Sequence, residues 1–187
     1  MEEKSYRIIS SETNVPTATV GVFMSDLERT GYLVKRGDKR SIVRRNELFR
    51  RFVENYGDNF RPTLNPVRFR TTKYDGRWWE DVDISKFHAY WGGETGGAVL
   101  TKHLRPEIVT IYSDSLLPRF QAKYGLVRDG NGNVEILKKF WTSGEVDNVA
   151  PPLVVYADLV ATAEKRNLET AQLIYDRYLA DLAEAAS

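Results

Sequence analysis

The sequence predicts an α+β protein in two parts, a small helical part with a hairpin and a small mixed α/β domain. The chain begins with two segments of helical periodicity, which a turn with a proline separates. Two short β-like runs rich in lysine and arginine follow them. From Leu64 onward, short strand-like runs alternate with helical segments, which is typical of a short sheet with flanking helices. With 187 residues, 42% of them hydrophobic, the chain is long enough for two domains, which we expect at residues 1–62 and 63–187.

The first predicted helix lies in the stretch SYRIISSETN, residues 5–14, with Ile8 and Ile9 directed inward. The next residues, NVPT, are typical of a turn. Pro16 ends the helix that precedes it, because a proline disfavours helical backbone at the residue before it.

The second predicted helix, TATVGVFMSDLERTG, carries one apolar stripe with Phe23 beside it. The stripe consists of the residues at spacing i, i+4 and i+7, namely Val20, Met24 and Leu27. Gly31 stands where a helix C-cap favours a residue that tolerates positive φ. This helix should therefore bury one face and leave the other outward.

Two short β-like runs, YLVKR and SIVRR, are joined across Gly37–Arg40, which predicts a hairpin. Helix, turn, helix and basic hairpin is the order of a winged helix-turn-helix, whose second helix enters the major groove of DNA and whose hairpin contacts phosphates. The predicted DNA-binding residues are outward positions of the second helix and cations of the hairpin and the residues after it: Thr17, Thr19, Ser25, Arg29, Lys35, Arg36, Lys39, Arg40, Arg44 and Arg45.

The charge distribution favours the same interpretation, although the net charge is only +1. Between Arg29 and Arg77 there are fourteen lysines and arginines against five acidic residues, a net charge of +9. From Glu145 to the end there are three against eight, a net charge of −5. Such a basic block favours double-stranded DNA as a partner, bound largely through phosphates. The alternative is a helix pair and hairpin that serve only as a protein-interaction module.

The stretch RNELFRRFVENYGDNFRP predicts a connecting helix with Asn46 as its N-cap and with Gly57 and Pro62 at its end. Its apolar stripe comprises Leu48, Phe49, Phe52, Val53 and Tyr56. This helix could join the two domains or pair across a dimer axis, so the sequence allows a homodimer. A winged module usually has another helix before the first one here, where only Met1–Lys4 stand. An upstream start, a minimal module or a covering partner subunit would each account for this.

Strand-like runs of the second part are PVRFR, FHAYW and EIVTIYS, and FHAYW should place Phe87, Ala89 and Trp91 on one face. LVRD and NVEILKKF flank Asp129–Gly132, a sequence that predicts a hairpin turn.

Helices are predicted for ETGGAVLTKHL, for LLPRFQAKYG and for two C-terminal amphipathic segments. Pro151 and Pro152 introduce the first C-terminal helix, and Asn167 is the predicted N-cap of the second. Gly96 and Gly97 cost a helix about 1 kcal/mol each relative to alanine, so we expect their helix to be buried closely against a neighbour.

The glycine cluster WGGETGG resembles a nucleotide-binding loop only in spacing. Gly92 and Gly97 are separated as in G-x-x-x-x-G-K-[ST], but Ala98 and Val99 stand where the lysine and the hydroxyl belong. The glycines instead suit a strand-to-helix turn that needs positive φ. Two histidines without any cysteine make a zinc site unexpected. We expect no catalytic residue, no metal site and no cofactor.

Glu94, Asp158 and Arg166 are polar residues in apolar or tightly turning segments. Helix caps and buried ion pairs explain them better than catalysis does. An enzyme acting on nucleic acids or nucleotides is the alternative, and it would need Glu94 and Asp158 to converge in one cleft. The chain also lacks a secretory signal at its start, an apolar run long enough for a bilayer, and cysteine, so we expect a cytoplasmic protein.

Three blocks of the chain resemble the AbiEi-type antitoxins of type IV, or abortive-infection, toxin–antitoxin systems. They are VPTATVGVFMSDLERTGYLVKRG, YWGGETGGAVLTKHLRPEIVTIY and PPLVVYADLVATAEKRNLETAQLIYDRYL. The first block is general for winged helices, whereas the other two are distinctive in order and spacing. The chain departs from the family in lacking a first helix and in its Gly96–Gly97 pair, where small alanine-like residues are more usual.

The resemblance implies a non-enzymatic transcriptional repressor that binds its own promoter region. It also implies a second domain that counteracts a nucleotidyltransferase-type toxin, without requiring a direct complex. The resemblance marks a set of effector-domain signature residues, which are Trp91, Gly92, Gly93, Glu94, Thr95, Tyr156, Asp158, Arg166 and Asn167.

Overall fold

A computed structural model describes residues 4–37, 39–74 and 76–184, and it has a mixed α+β architecture. The chain divides into two compact units. The first unit runs to Phe52 and takes in the chain again from Ala180, and the second covers Val53–Leu179. The division lies inside a helix, ahead of the domain boundary predicted at residue 62, which stays a prediction.

The first unit contains the predicted helix, helix and hairpin in that order. Its elements are helices α1 (Tyr6–Thr13) and α2 (Thr17–Arg29), strands β1 (Leu33–Arg36) and β2 (Lys39–Ile42), and the start of helix α3 (Arg45–Asn55). Ser5 caps α1 by accepting from the Ile8 amide, and Asn14 ends it in the left-handed conformation. The buried core comprises Ile9, Val20, Met24, Leu27, Tyr32 and Leu33.

Several local predictions for this unit are confirmed. The α2 stripe is buried, and Gly31 follows the helix with φ of 76°. Ile8, in contrast, is 46% exposed, because Ile9 alone takes the inward position on this short helix. Asn46 is not an N-cap, since α3 already begins at Arg45 and the Arg44 carbonyl accepts from the Leu48 amide.

The hairpin turn is tighter than predicted. Lys39 and Arg40 belong to β2 rather than to the turn, so the connection reduces to Gly37, with φ of 62°, and Asp38, which lies outside the described residues. In the antiparallel register Lys35 stands opposite Arg40, and Arg36 stands opposite Lys39.

The second unit is built on a five-stranded sheet with the order β4-β5-β7-β3-β6. Its strands are β3 (Val67–Thr71), β4 (Ala89–Gly92), β5 (Val109–Ser113), β6 (Leu126–Arg128) and β7 (Val134–Lys138). The β5 and β7 strands are parallel, and the other neighbours are antiparallel. Strand β4 is shorter than predicted, because Phe87 ends a 3₁₀ turn and His88 takes a left-handed conformation.

The predicted hairpin of β6 and β7 is wrong, because β3 lies between the two strands and pairs with both. The chain segment that connects β6 to β7 passes very close to the backbone of β3. The Asp129 amide donates to the Arg68 carbonyl, and a Cβ added at Gly132 would lie 2.0 Å from the Phe69 carbonyl oxygen. Glycine is therefore required by this close approach to another strand.

Helices α4 (Gly93–Thr101), α5 (Pro118–Tyr124), α6 (Pro152–Ala161) and α7 (Lys165–Ile174) accompany the sheet, and α8 (Ala180–Glu184) groups with the first unit. Short turns connect them: a π-helical turn at Tyr56–Phe60 continues α3, another at Tyr175–Leu179 continues α7, and 3₁₀ turns cover Arg61–Leu64, Trp78–Asp81 and Ile84–Phe87. The connecting helix thus does not end at Gly57. Pro152 starts α6 as predicted, whereas Asn167 lies inside α7 and Glu164 holds its N-cap position.

Helix α4 is buried along nearly its whole length, as its glycines predict. A Cβ at Gly96 would lie 3.0 Å from Val155 Cγ2, and one at Gly97 would lie 3.1 Å from Leu159 Cδ1. Side chains of α6 thus take the space that alanine would fill. The described residues contain no helix that is both long and apolar enough to cross a membrane.

Candidate functional sites

The ten predicted DNA-binding residues all lie in the first unit, on α2, on the hairpin and at the start of α3. Eight are exposed, and Arg40 and Arg45 are half-buried. The outward face of α2 carries Ala18, Val22, Ser25 and Arg29 at helical spacing, and Val22 is 73% exposed. Beside it, Phe23 forms one wall of an apolar groove of about 390 Å³ between α1, α2 and the hairpin.

Several of these cations already have partners. Arg29 pairs with Asp26 at 2.5 Å, and Arg44 pairs with Glu47 through two hydrogen bonds. The hydrogen bonds from Arg44 lower the pKa of Glu47, and the same contacts raise the pKa of Arg44.

At the hairpin, Arg40 donates to the Lys4 carbonyl at 2.5 Å and lies 4.8 Å over the Tyr6 ring. The Lys35 and Arg36 side chains are exposed and find no hydrogen-bond or ion-pair partner among the residues that the structure describes. Positive charge at the hairpin is therefore available to a ligand.

The second unit contains a cleft of about 190 Å³ in which several of the signature residues meet. Gly93, Glu94 and Asp158 line it, together with Arg61, Arg68 and Glu135, which sequence reasoning did not identify. Glu135 could have been noticed as a lone carboxylate in the apolar strand NVEILKKF. Arg61 carried no such indication, because it lies in a long basic stretch.

Asp158 is the centre of a buried hydrogen-bond network, and its side chain is 1% exposed. The phenol oxygens of Tyr56 and Tyr112 each lie 2.9 Å from Oδ1 and 2.7 Å from each other, so at least one of them donates to the carboxylate, and Arg61 Nε donates to Oδ1 at 2.9 Å. The Gly93 amide donates to Oδ2 at 3.0 Å. Arg61 also binds Glu135 Oε2 at 2.5 Å, so one arginine joins two buried carboxylates.

Burial changes the protonation equilibria of this network. It raises the pKa of Asp158, against the opposing effect of Arg61 and the two phenols. Burial and the neighbouring Asp158 charge raise the pKa of both Tyr56 and Tyr112, so the phenols stay protonated and act as donors. Burial lowers the pKa of Arg61, but Asp158 and Glu135 outweigh it and the pKa is raised.

Glu94 is also fully occupied by structural contacts. Its Oε1 accepts from Arg166 Nη2 at 2.7 Å and from the side-chain amide nitrogen Nδ2 of Asn167 at 3.0 Å. Its Oε2 accepts from the backbone amides of Glu107 at 2.6 Å and Ile108 at 3.2 Å. Glu94 therefore ties the first turn of α4 to α7 and to the loop before β5, and the predicted ion pairs of Glu94 and Asp158 are confirmed.

The remaining signature residues lie outside the cleft lining. Trp91 is buried and packs edge-to-face against Trp79, with ring centroids 6.1 Å apart. Thr95 is buried on α4, and its hydroxyl lies 3.4 Å from the Ile108 carbonyl. The half-buried ring of Tyr156 lies 6.1 Å from that of Tyr175. These residues pack the unit, whereas Gly93, Glu94 and Asp158 shape the cleft.

Comparison with known proteins identifies a family. A family model described as "Transcriptional regulator, AbiEi antitoxin, Type IV TA system" matches residues 41–180. The match includes every element of the second unit and begins inside β2, so α1 and α2 lie outside it. No curated protein and no solved structure matches the chain.

Proposed function

This chain belongs to the AbiEi family of transcriptional regulators and antitoxins of type IV toxin–antitoxin systems, and on that premise we propose that it represses its own operon by binding double-stranded DNA. In this proposal the first unit contacts the DNA as a winged helix-turn-helix. Its helices α1 and α2 and the hairpin stand in the order of that motif.

The observation that carries the proposal is the register of the hairpin. Two pairs of like charges face each other across it, Lys35 with Arg40 and Arg36 with Lys39. Like charges directly opposite destabilise an antiparallel pair, so this arrangement costs stability in the free protein. The two pairs point to opposite faces of the hairpin, because successive side chains of a strand alternate. A phosphate beside either pair would reduce the repulsion within that pair.

The outward face of α2 is suited to close approach in a major groove. Ala18, Val22 and Ser25 are small, so the helix backbone can come near the base edges, and Val22 can contact a thymine methyl group. None of the three forms a bidentate hydrogen bond with a base, so direct reading of sequence through this face is limited. Phosphate contacts therefore supply most of the affinity in this proposal.

Fluorescence anisotropy with DNA from upstream of the gene tests the DNA-binding half. We expect log affinity to fall linearly with log salt concentration, and the double variant K35Q/R36Q to reduce the slope by about two. K165Q is the matched control, because Lys165 is an exposed lysine of the second unit. Light scattering of the complex counts the copies of the chain and tests the predicted homodimer. Affinity that does not depend on salt, or equal slopes in all variants, would contradict the proposal.

We propose further that the second unit counteracts a nucleotidyltransferase-type toxin encoded by the neighbouring gene, without the need for a stable complex. The family assignment and the distinctive α4 segment support this. Co-expression with the neighbouring gene tests it by growth of the host. K35Q/R36Q should lose repression but still relieve toxicity, because its changes lie in the first unit. Rescue that is lost in the hairpin variant at equal protein level would argue against two separable functions.

The cleft of the second unit offers a second candidate function, because Glu94, Glu135 and Asp158 converge there as an enzyme would require. Each of these carboxylates, however, already binds an arginine. The oxygens of Asp158 and Glu94 are further occupied by phenols, an amide side chain and backbone amides. We therefore favour a structural role for this network and propose no reaction in the cleft.

A further inference from the structure

The outward face of helix α2 combines strong exposure with a lack of charge. Val22 is 73% exposed and Phe23 is 58% exposed, so they are the two most exposed large apolar side chains of the described residues. Residues 17–25 of the helix include no charged residue, and the first charge, Asp26, is paired with Arg29. Adjacent exposed apolar side chains on an uncharged helix face indicate a surface that meets an apolar group of a partner.

The side chains around Val22 leave it prominent on this face. Ala18 precedes it by one helical turn and Ser25 follows it by almost one turn, and both are small and exposed. The buried stripe of α2 lies on the opposite side of the helix, so the core fixes the direction of the outward face. A β-branched side chain also has essentially one χ1 rotamer in a helix, which gives the two methyl groups of Val22 fixed positions.

We propose that this face recognises the C5-methyl groups of pyrimidines in the major groove of DNA. The inference rests on the proposed DNA-binding function and adds the chemical feature of the base sequence that is recognised. The C5-methyl of thymine is the apolar group that base pairs present in the major groove, whereas their other features there are hydrogen-bond donors and acceptors. Val22 offers only methyl groups, so it favours a methyl group over a hydrogen-bonding base edge.

Affinity and sequence preference come from different elements in this proposal. The hairpin cations contact phosphates, which are the same at every sequence, whereas α2 contacts base edges, which differ. Phe23 extends the apolar surface of α2 toward the groove between α1, α2 and the hairpin. Thymine and 5-methylcytosine carry a methyl group at the same position of the base, so they are the two sources of this chemistry.

Fluorescence anisotropy of the full chain with three duplex probes of one upstream sequence tests the inference. The first probe contains thymine, the second contains uracil in place of thymine, and the third contains 5-methylcytosine in place of cytosine. Uracil lacks only the methyl group, so we expect the second probe to bind about fourfold more weakly for each methyl group contacted. Tighter binding of the third probe identifies methylated cytosine as a second source, and equal binding assigns the recognition to thymine.

The variant V22A links this preference to the outward face of α2. Alanine is the strongest helix former, so V22A keeps the helix and removes the prominent methyl groups. We expect the ratio of affinities for the thymine and uracil probes to fall toward one in V22A. V127A is the matched control, because it makes the same change at a valine of the second unit that is 47% exposed, and it should keep the wild-type ratio.

The inference is overturned, while the proposed function stands, if the wild type binds the thymine and uracil probes with the same salt-dependent affinity. It is likewise overturned if V22A keeps the wild-type ratio. If V22A abolishes self-association of the free chain in light scattering, the apolar face is a contact between copies and the inference is wrong. Binding that does not depend on salt, or no binding to any probe, would refute the proposed function and this inference together.

Discussion

At the scale of single residues, Gly92 and Gly93 are both required to be glycine, but for different physical reasons. Gly93 adopts φ of 47°, a left-handed conformation that disfavours other residues, and its amide donates to Asp158. Gly92 is extended, so any residue could adopt its backbone. What excludes a side chain at Gly92 is space, because a Cβ there would lie 2.3 Å from Tyr112 Cε2 and 3.4 Å from Asp158 Oδ2.

We expect G92A to destabilise the second unit by about 3 kcal/mol, at the upper end of the cost of overpacking a core. The Tyr112 ring must move, and its hydrogen bond to Asp158 moves with it. Urea unfolding followed by circular dichroism measures the change. G130A is the matched control, because a Cβ at Gly130 would meet nothing within 4 Å. Equal stability of the two variants would show that the network tolerates displacement of Tyr112.

We expect D158N to destabilise the second unit by about 3–5 kcal/mol, the usual result of removing one partner from a buried ion pair. The new amide group would also place hydrogen-bond donors against the phenol and the guanidinium that now donate to the carboxylate. Chemical denaturation of D158N beside E169Q gives the comparison, since Glu169 forms an exposed pair with Lys165 and should contribute less than about 1 kcal/mol. A small loss in D158N would mean that Arg61 is satisfied by Glu135 alone.

The sequence identified Glu94, Asp158 and Arg166 as members of ion pairs, and Arg166 is the partner of Glu94, but it did not identify Arg61 as the partner of Asp158. A carboxylate in an apolar helix or a glycine-rich turn is conspicuous in the sequence, because an unpaired charge is costly to bury. Arg61 is one of many cations in a basic stretch, and it stands 97 residues from Asp158. The pairing depends on the fold of the unit, so it could not be predicted from local sequence.

At the scale of elements, the features that depend on neighbours along the chain were predictable and the long-range pairings were not. The α2 stripe, its Gly31 cap and the β1–β2 hairpin follow from residues within one or two turns of each other. The sequence Asp129–Gly132 is typical of a hairpin, yet β3 separates β6 from β7. Strand order is fixed by packing across the whole sheet, which overrides the preference of a four-residue turn.

The pairing of Lys35 with Arg40 in the β1–β2 hairpin predicts that K35E has opposite effects on protein stability and on DNA binding. K35E places a carboxylate opposite Arg40, which should stabilise the first unit by about 0.2–1 kcal/mol. The same change should weaken DNA binding more than K35Q does, because it adds repulsion to the loss of a phosphate contact. Thermal unfolding and anisotropy on one preparation measure both effects. If K35E lowers stability, or binds DNA like the wild type, then the hairpin cations are not arranged for phosphate.

At the scale of the whole molecule, the first unit takes in both the beginning of the described chain and helix α8 near its end. Composition divides the chain into a basic block and an acidic C-terminal region, so the sequence places α8 with the second domain. The grouping of α8 with the first unit depends on packing between distant parts of the chain, and composition carries no information about it. The acidic helix α8 thus groups with the basic first unit, in contrast to the division that the charges indicate.

This organisation predicts that α8 contributes to the stability of the first unit. A chain that stops after Leu179 lacks α8 and its buried residue Ala183, which is 3% exposed. We expect the loss to be about 1–2 kcal/mol, or about 4–16 °C in the unfolding temperature of the first unit, with a parallel fall in DNA affinity. A chain that stops after Glu184 keeps α8 and serves as the control. A truncation after Leu179 that leaves the unfolding temperature of the first unit unchanged would contradict this contribution of α8.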